Sequence, residues 1–311
     1  MQMALEGGDK ENLPVFSVYN KDKGYMDLYN SGNGAVYWSA KLSNDWIKLS
    51  ETSGVVYDES RVWVSIDWDK APTGISEPGD IQISWSSSVR AEWMDWDQMS
   101  EAAREAYVNG DLNYKGPNPI IEVNLSLFNP ASPAPGDVKG FVESNGYISI
   151  EAENFSRKTE KSDAEWTIIE GLGRSGNSLT VLPPTVSSIE DKKDIVSKSP
   201  VLEYDMYTFT SGVVDIQLNC SPSNPINGDY GLRIAVAVDE GEPRILSYER
   251  GNKDVMTNLM SLHGNIDLKT SGEHTLKIFM VDPGVILDKI IIDTGGVKES
   301  YLGPPESYSN R

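Results

Sequence analysis

The chain has 311 residues, 39% hydrophobic and 24% charged, proportions ordinary for a globular protein and long enough for two domains with cores of their own. Its formal net charge of -20, from 27 basic and 47 acidic residues, excludes a polyanion such as nucleic acid as partner. No apolar run approaches the ~18 residues of a membrane span, and the single cysteine, Cys220, excludes an internal disulfide.

In chain order, residues 1–10 lack the charged-then-apolar pattern of an export signal and read as a leader or cloning remnant. Residues 11–128 read as short strands. Met26 and Leu28 alternate with polar neighbours, and so do Val36, Trp38 and Ala40. The same holds for Val62, Val64 and Ile66, for Ile81, Ile83 and Trp85, and for Ile121, Val123, Leu125 and Leu127. A period of two marks half-buried antiparallel strands. Turn signals at 30–34 and 77–80 separate them, so an immunoglobulin-like β-sandwich is expected. Trp68 follows the core parity of its strand and Trp63 opposes it. One helical insertion is expected near 100–109, where Ser100 can cap and Gly110 can terminate. Trp93 and Trp96 are expected to pack beneath it.

Seven of the eight tryptophans fall between Trp38 and Trp96 and the eighth is Trp166, a shift that separates two cores. Between them residues 129–138 hold three prolines in six positions and read as a stiff linker. Residues 139–296 are again strand-rich: Ile148, Ile150 and Ala152, then Ile234, Val236 and Val238, then Leu276, Ile278 and Met280 each alternate. Strands with long loops over this length suit a jelly roll. The fold expected for the whole chain is therefore all-β, two β-sandwich domains in tandem. Residues 297–311 contain Gly303, Pro304 and Pro305 and read as an extended C-terminal tail, expected to dock on another surface.

Glu151 and Glu153 are two apart on one strand and share a face, about 7 Å apart. A retaining glycosidase pair needs about 5–5.5 Å across a sugar cleft, so an acid–base pair is not the reading adopted. Cys220 ends an alternating run and reads as a strand-end thiol. The two histidines, His263 and His274, are too few for a histidine zinc site, and His274 opens a strand in phase with Leu276.

Several segments carry a family resemblance. GYISIEAENF (146–155), LEYDM (202–206) with TSG (210–212), and GEHTLKI (272–278) followed by LDKIII (287–292) resemble carbohydrate-binding modules of families 6 and 35. WTIIEGLGRSGNS (166–178), VDPGV (281–285) and SYLGPPES (300–307) resemble the C-terminal region of glycoside hydrolase family 115, the xylan α-glucuronidases. In the first half, YNSG (29–32), Trp38, DWIKLS (45–50) and SG (53–54) are similar to the Bacteroidetes carbohydrate-binding-often-N-terminal, or BACON, sandwich.

The resemblance implies a non-catalytic accessory region of a hydrolase whose catalytic domains lie upstream. It would brace those domains or a homodimer and bind glucuronoxylan, in a periplasmic or secreted setting. The alternative is a free-standing carbohydrate-binding protein with a sugar cleft in the second domain. In the resembled modules the glutamates matching Glu151 and Glu153, with the aspartate matching Asp288, help hold a structural calcium, as oxygen donors suited to that ion. A sugar needs flat aromatic faces and polar side chains; Trp166, Tyr204, Tyr230 and Asn177 are the candidates, with Arg174 as a fork for a uronic carboxylate. Where related modules carry a tryptophan wall, residues 254–261 are methionine-rich instead.

Overall fold

Strict alternation of apolar residues builds both halves of the chain. The computed structural model describes residues 1–32, 35–74, 78–87, 120–161, 164–227, 231–248, 260–298 and 300–310. The expected helix near 100–109, with Trp93 and Trp96, and the binding candidate Tyr230 lie outside the described residues. The chain divides into two units, 1–132 and 133–311.

In the first unit, β1 (Gln2–Leu5), β3 (Gly24–Tyr29), β7 (Glu59–Ile66) and β5 (Ile47–Leu49) form one antiparallel sheet in the order β1-β3-β7-β5. A second sheet runs β6-β4-β8-β9, from β6 (Ser53–Val56), β4 (Val36–Leu42), β8 (Gly79–Ser87) and β9 (Ile120–Leu125). Short β2 (Phe16–Ser17) and β10 (Leu127–Phe128) pair in parallel. Met26, Leu28, Val62 and Val64 of the first sheet meet Trp38, Ile81, Ile83, Val123 and Leu125 of the second in one core. Gly54 is the cross-strand partner of Trp38, and a Cβ there would come within 2.9 Å of the indole nitrogen. The missing side chain thus leaves room for the indole beside the neighbouring strand.

The second unit is also two facing sheets. One holds β19 (Arg244–Ser247), β18 (Arg233–Val238), β21 (Gly272–Met280), β16 (Val201–Thr208), β11 (Gly140–Val142) and β23 (Ser309–Asn310) in that order, with β13 (Arg157–Thr159) also paired to β16. The other runs β14 (Glu165–Ile169), β15 (Ser178–Leu182), β22 (Ile286–Asp293), β17 (Gly212–Ser221) and β20 (Met260–Leu268), with β12 (Tyr147–Glu151) paired to β22. Ile148, Ile150, Leu202, Met206, Ile216, Leu218, Ile278 and Ile290 fill the space between them. One helical turn, α1 (Ile195–Lys198), covers the outer face of the first sheet through Ile195, which packs with Ala235, Ala237, Phe279 and Val281. The architecture of both units is all-β, as the periodicity predicts.

The C-terminal segment crosses the outer face of the second sheet as a strap and then pairs with β11. A segment with Gly303, Pro304 and Pro305 has no periodicity to show which surface it covers.

Candidate functional site

The register of β12 against β22 sets Glu151 opposite Lys289. The Lys289 ammonium lies 2.9 Å from Glu151 Oε1, with the two side chains only 4% and 14% exposed. It also donates to the carbonyls of Leu302 at 3.0 Å and Pro304 at 3.3 Å. A buried ammonium needs acceptors for its three protons, and the strap supplies two of them. Around this point the strap is stitched to β12. Ser149 donates through its backbone to Ser307 Oγ (3.0 Å) and through its hydroxyl to Pro304 O (3.0 Å), while Ser307 N donates back to Ser149 O (2.8 Å). Glu306 Oε1 accepts from Glu151 N at 3.1 Å and Asn154 Nδ2 at 2.8 Å.

The loop between β14 and β15 closes the other side. Arg174 donates from its backbone to Asp288 Oδ1 and from Nε to Asp288 Oδ2, both at 3.2 Å, and from Nη1 to Tyr301 O at 3.2 Å. Its guanidinium lies 5.9 Å from the centre of the Tyr301 ring. Burial pushes the Asp288 carboxyl above its ordinary range, and the bonds from Arg174 oppose that shift. Ser175 Oγ donates to Glu151 Oε1 at 2.9 Å and Asn177 N to Glu153 Oε1 at 2.8 Å. Gly173 fits this loop because a Cβ would sit 2.6 Å from Asp288 Oδ1 and 2.8 Å from Ser175 O.

The structure therefore gathers Glu151, Glu153, Asp288, Arg174 and Asn177 into one cluster, but as a clasp and not as an open cleft. Arg174 is turned to Asp288 and Tyr301, with 7% of its side chain exposed and its Nη2 buried without a hydrogen-bond partner. Asn177 accepts from Gly171 N at 2.9 Å. Trp166 and Tyr204 are corrected: both are core residues, 1% and 0% exposed, with no ring face open to a sugar. The Trp166 indole donates to Pro200 O at 3.1 Å and the Tyr204 hydroxyl to Ala152 O at 2.7 Å, which satisfies their polar atoms inside the sandwich. Burial raises the Tyr204 phenol well above its ordinary value.

Lys289, Glu306, Ser149 and Ser307 were not singled out in the sequence. The available signal was a lysine in the middle of an apolar strand, Ile286–Asp293, where a charge must find partners.

The donor chemistry of the clasp suits a hard cation in kind. Glu151 Oε2 and Glu153 Oε2 are buried without a hydrogen-bond partner. Four carboxylates, of Glu151, Glu153, Asp288 and Glu306, face two cations, Arg174 and Lys289, which leaves an excess of two negative charges. Yet among the described residues no three acidic, histidine or cysteine side chains converge as a ready metal cluster. Asp288 has both oxygens engaged by Arg174.

Two other places are chemically occupied. On the outer face of the β16–β21 pair a polar recess of about 330 Å³ is lined by Lys139, Arg157, Asp205, Glu273 and His274 among others. There Arg157 grips Asp205 at 2.6 and 2.7 Å and Glu203 at 2.8 Å. The His274 nitrogens lie 2.8 Å from Asp239 Oδ2 and 2.8 Å from Thr270 O, in keeping with a structural histidine. Cys220 is fully buried and burial drives its thiol far above the ordinary range, the opposite of an activated nucleophile.

No curated protein matches the chain. Among solved structures, it resembles a family GH115 4-O-methyl-α-glucuronidase, BtGH115A, with specificity for decorated arabinogalactans, at 20% identity and a TM-score of 0.36 over 53% of this chain and 19% of that one. It also resembles the C-terminal family 6 carbohydrate-binding module of the laminarinase LamC from Zobellia galactanivorans, at 14% identity and a TM-score of 0.31, covering 47% of this chain and 98% of the module. A further family 6 module aligns at 14% identity and a TM-score of 0.32, over 48% and 95% of the two chains. This chain thus spans about a fifth of the glucuronidase, 19% of its length. Residues 140–306, more than half of the chain and the whole span that carries β11, the clasp and most of the strap, match the glycosyl hydrolase family 115 C-terminal domain, and the chain belongs to that family.

Proposed function

We propose that this chain is a non-catalytic accessory region of an α-glucuronidase-like hydrolase, secreted or periplasmic, whose catalytic groups lie elsewhere in the parent protein. The second unit braces that parent and does not grip glucuronoxylan with Arg174 and Asn177. The observation that carries this reading is that Arg174 is committed to Asp288 and Tyr301 beneath the strap, while the two aromatic candidates described, Trp166 and Tyr204, are core. Bidentate capture of a uronic carboxylate needs a free guanidinium fork, and stacking needs an open ring. The test is affinity electrophoresis of the intact chain in gels with glucuronoxylan and with no polymer. Retardation that disappears in a folded Asn177→Ala or Arg174→Lys variant would sink the bracing reading and favour a free-standing binder. Migration that does not depend on either residue is the expected result.

The two unpaired buried carboxylate oxygens support a second reading, a structural calcium held by Glu151 and Glu153 with loop carbonyls. Asp288, matched to Arg174, takes no direct part. An ion that binds only the folded state raises the midpoint of unfolding by mass action. The expected outcome is a midpoint that rises with added calcium and falls with chelator. An identical midpoint in both conditions would remove the ion from the clasp and leave Lys289 and Arg174 as its counter-charges among the described residues.

A further inference from the structure

The outer face of the first unit carries an arrangement that neither the clasp nor the bracing role uses. Parity on β3 and β7 sends Met26, Leu28, Val62 and Val64 into the core. It leaves three cross-strand rungs outside: Tyr25 opposite Trp63, Asp27 opposite Arg61, and Tyr29 opposite Glu59. Trp63 is 44% exposed, a large flat ring on a solvated sheet face. It is held firmly. Its backbone N–H takes Ser50 Oγ at 3.0 Å and its carbonyl accepts from Ser50 N at 2.9 Å, which fixes it to β5. Tyr25 meets it edge-on, with centroids 5.7 Å apart and planes at 70°.

The Arg61 guanidinium lies 3.9 Å over the Tyr25 ring and 5.7 Å from the Trp63 ring, a cation–π placement. Its Nε and Nη2 bond both oxygens of Asp27 at 2.7 Å, which leaves Nη1 without a partner among the described residues. The Tyr29 hydroxyl lies 3.5 Å from Asp27 Oδ2.

We propose that this face, centred on Trp63, binds a neutral, hydroxyl-rich polysaccharide chain. The ring supplies the flat apolar surface that stacks on the axial C–H face of a sugar. Arg61 Nη1 is a free donor, and Asp27, Tyr29 and Glu59 present acceptors within the next rungs. Such a mixture suits hydroxyls, which donate and accept at once. Because Arg61 is already neutralised by Asp27, the platform offers no net positive charge to a polyanion, and a chain of net charge -20 repels one. Here Trp63 alternates with Arg61 and Glu59 on its own strand and faces Asp27 diagonally. Preformed packing of the ring means little entropy is lost on stacking.

The experiment runs the intact chain in native gels containing neutral arabinoxylan, mixed-linkage β-glucan, galactomannan, polygalacturonate, or no polymer. The expected result is retardation by at least one neutral polymer and none by polygalacturonate. Trp63→Ala should weaken it by about tenfold or more, the loss of one stacked ring, and Trp63→Phe should restore part of it. Far-UV dichroism and the unfolding midpoint confirm that the variants fold. Free migration in all three neutral polymers, retention of binding by folded Trp63→Ala, or retardation by polygalacturonate equal to that by the neutral chains would each overturn the proposal. Arg174→Lys serves as the control for the second unit, and its retardation should equal that of the unaltered chain, which separates this outcome from the test of the clasp.

Discussion

Each unit carries an arginine paired with an aspartate, and the two pairs have opposite uses. Arg61 and Asp27 stand on an outer sheet face, their side chains 47% and 15% exposed, framed by aromatic rings. Arg174 and Asp288 are closed in at 7% and 2%, under a strap. The chemistry is the same and the burial differs. In the open pair part of the fork stays available to a ligand. In the closed pair the fork is shut away from solvent, its Nη2 buried without a partner, and breaking the pair leaves a charge stranded out of water.

Variants on the two faces sharpen that contrast. The largest effect is expected from Lys289→Ala, which strands Glu151 beneath the strap and should cost about 3–5 kcal/mol in denaturant unfolding. Combining Lys289→Met with Glu151→Leu should recover most of that loss, since an apolar pair of similar volume carries no desolvation penalty. A double variant as unstable as the single one would mean that packing under the strap matters more than charge. Ser307→Ala comes next. It deletes one buried hydrogen bond from Ser149 N and should cost about 1 kcal/mol.

The smallest effect is expected from Arg61→Gln on the exposed face, and its pH dependence is diagnostic. Arg61 holds the Asp27 carboxyl below its ordinary range. The stability this pair adds is therefore present above the unfolded aspartate value of about 3.9 and lost as pH falls through the depressed folded value. The gap between the variant and the unaltered chain should close in acid; a gap that persists at about pH 2 would tie Arg61 to packing and not to charge. Asp288 runs the other way. Burial raises its carboxyl, so its contribution is most favourable below the unfolded value and is eroded as pH rises through the raised one.

Strand positions were legible because parity is a local property. The burial pattern of β3, alternating from Gly24 to Tyr29, is written in six consecutive residues, and Trp63 stands out because it breaks the parity of Val62 and Val64. The acidic members of the clasp were legible only through a motif resemblance, since β12 and β22 are joined across more than a hundred residues. Trp166 was misplaced because its sequence neighbours are polar, whereas its ring is buried by residues from other strands. Lys289 was passed over for the converse reason. Its strand is apolar, and its partners, Leu302 O and Pro304 O, are backbone atoms that no side-chain pattern reports.

The pairing of β23 with β11 sets Asn310 opposite Gly140, and the Asn310 side chain reaches back to the carbonyls of Gly136 and Val138 at 3.2 Å each. Strand neighbours lie about 5 Å apart, so the segment leading into the second unit and the segment leaving it run side by side. A sandwich arranged in this way behaves like a bead on a closed loop. It can be gained, lost or moved within a longer polypeptide while the stretches before and after it stay within reach of each other, and the same neighbourhood is where a circularly permuted version could be sealed with only a few added residues.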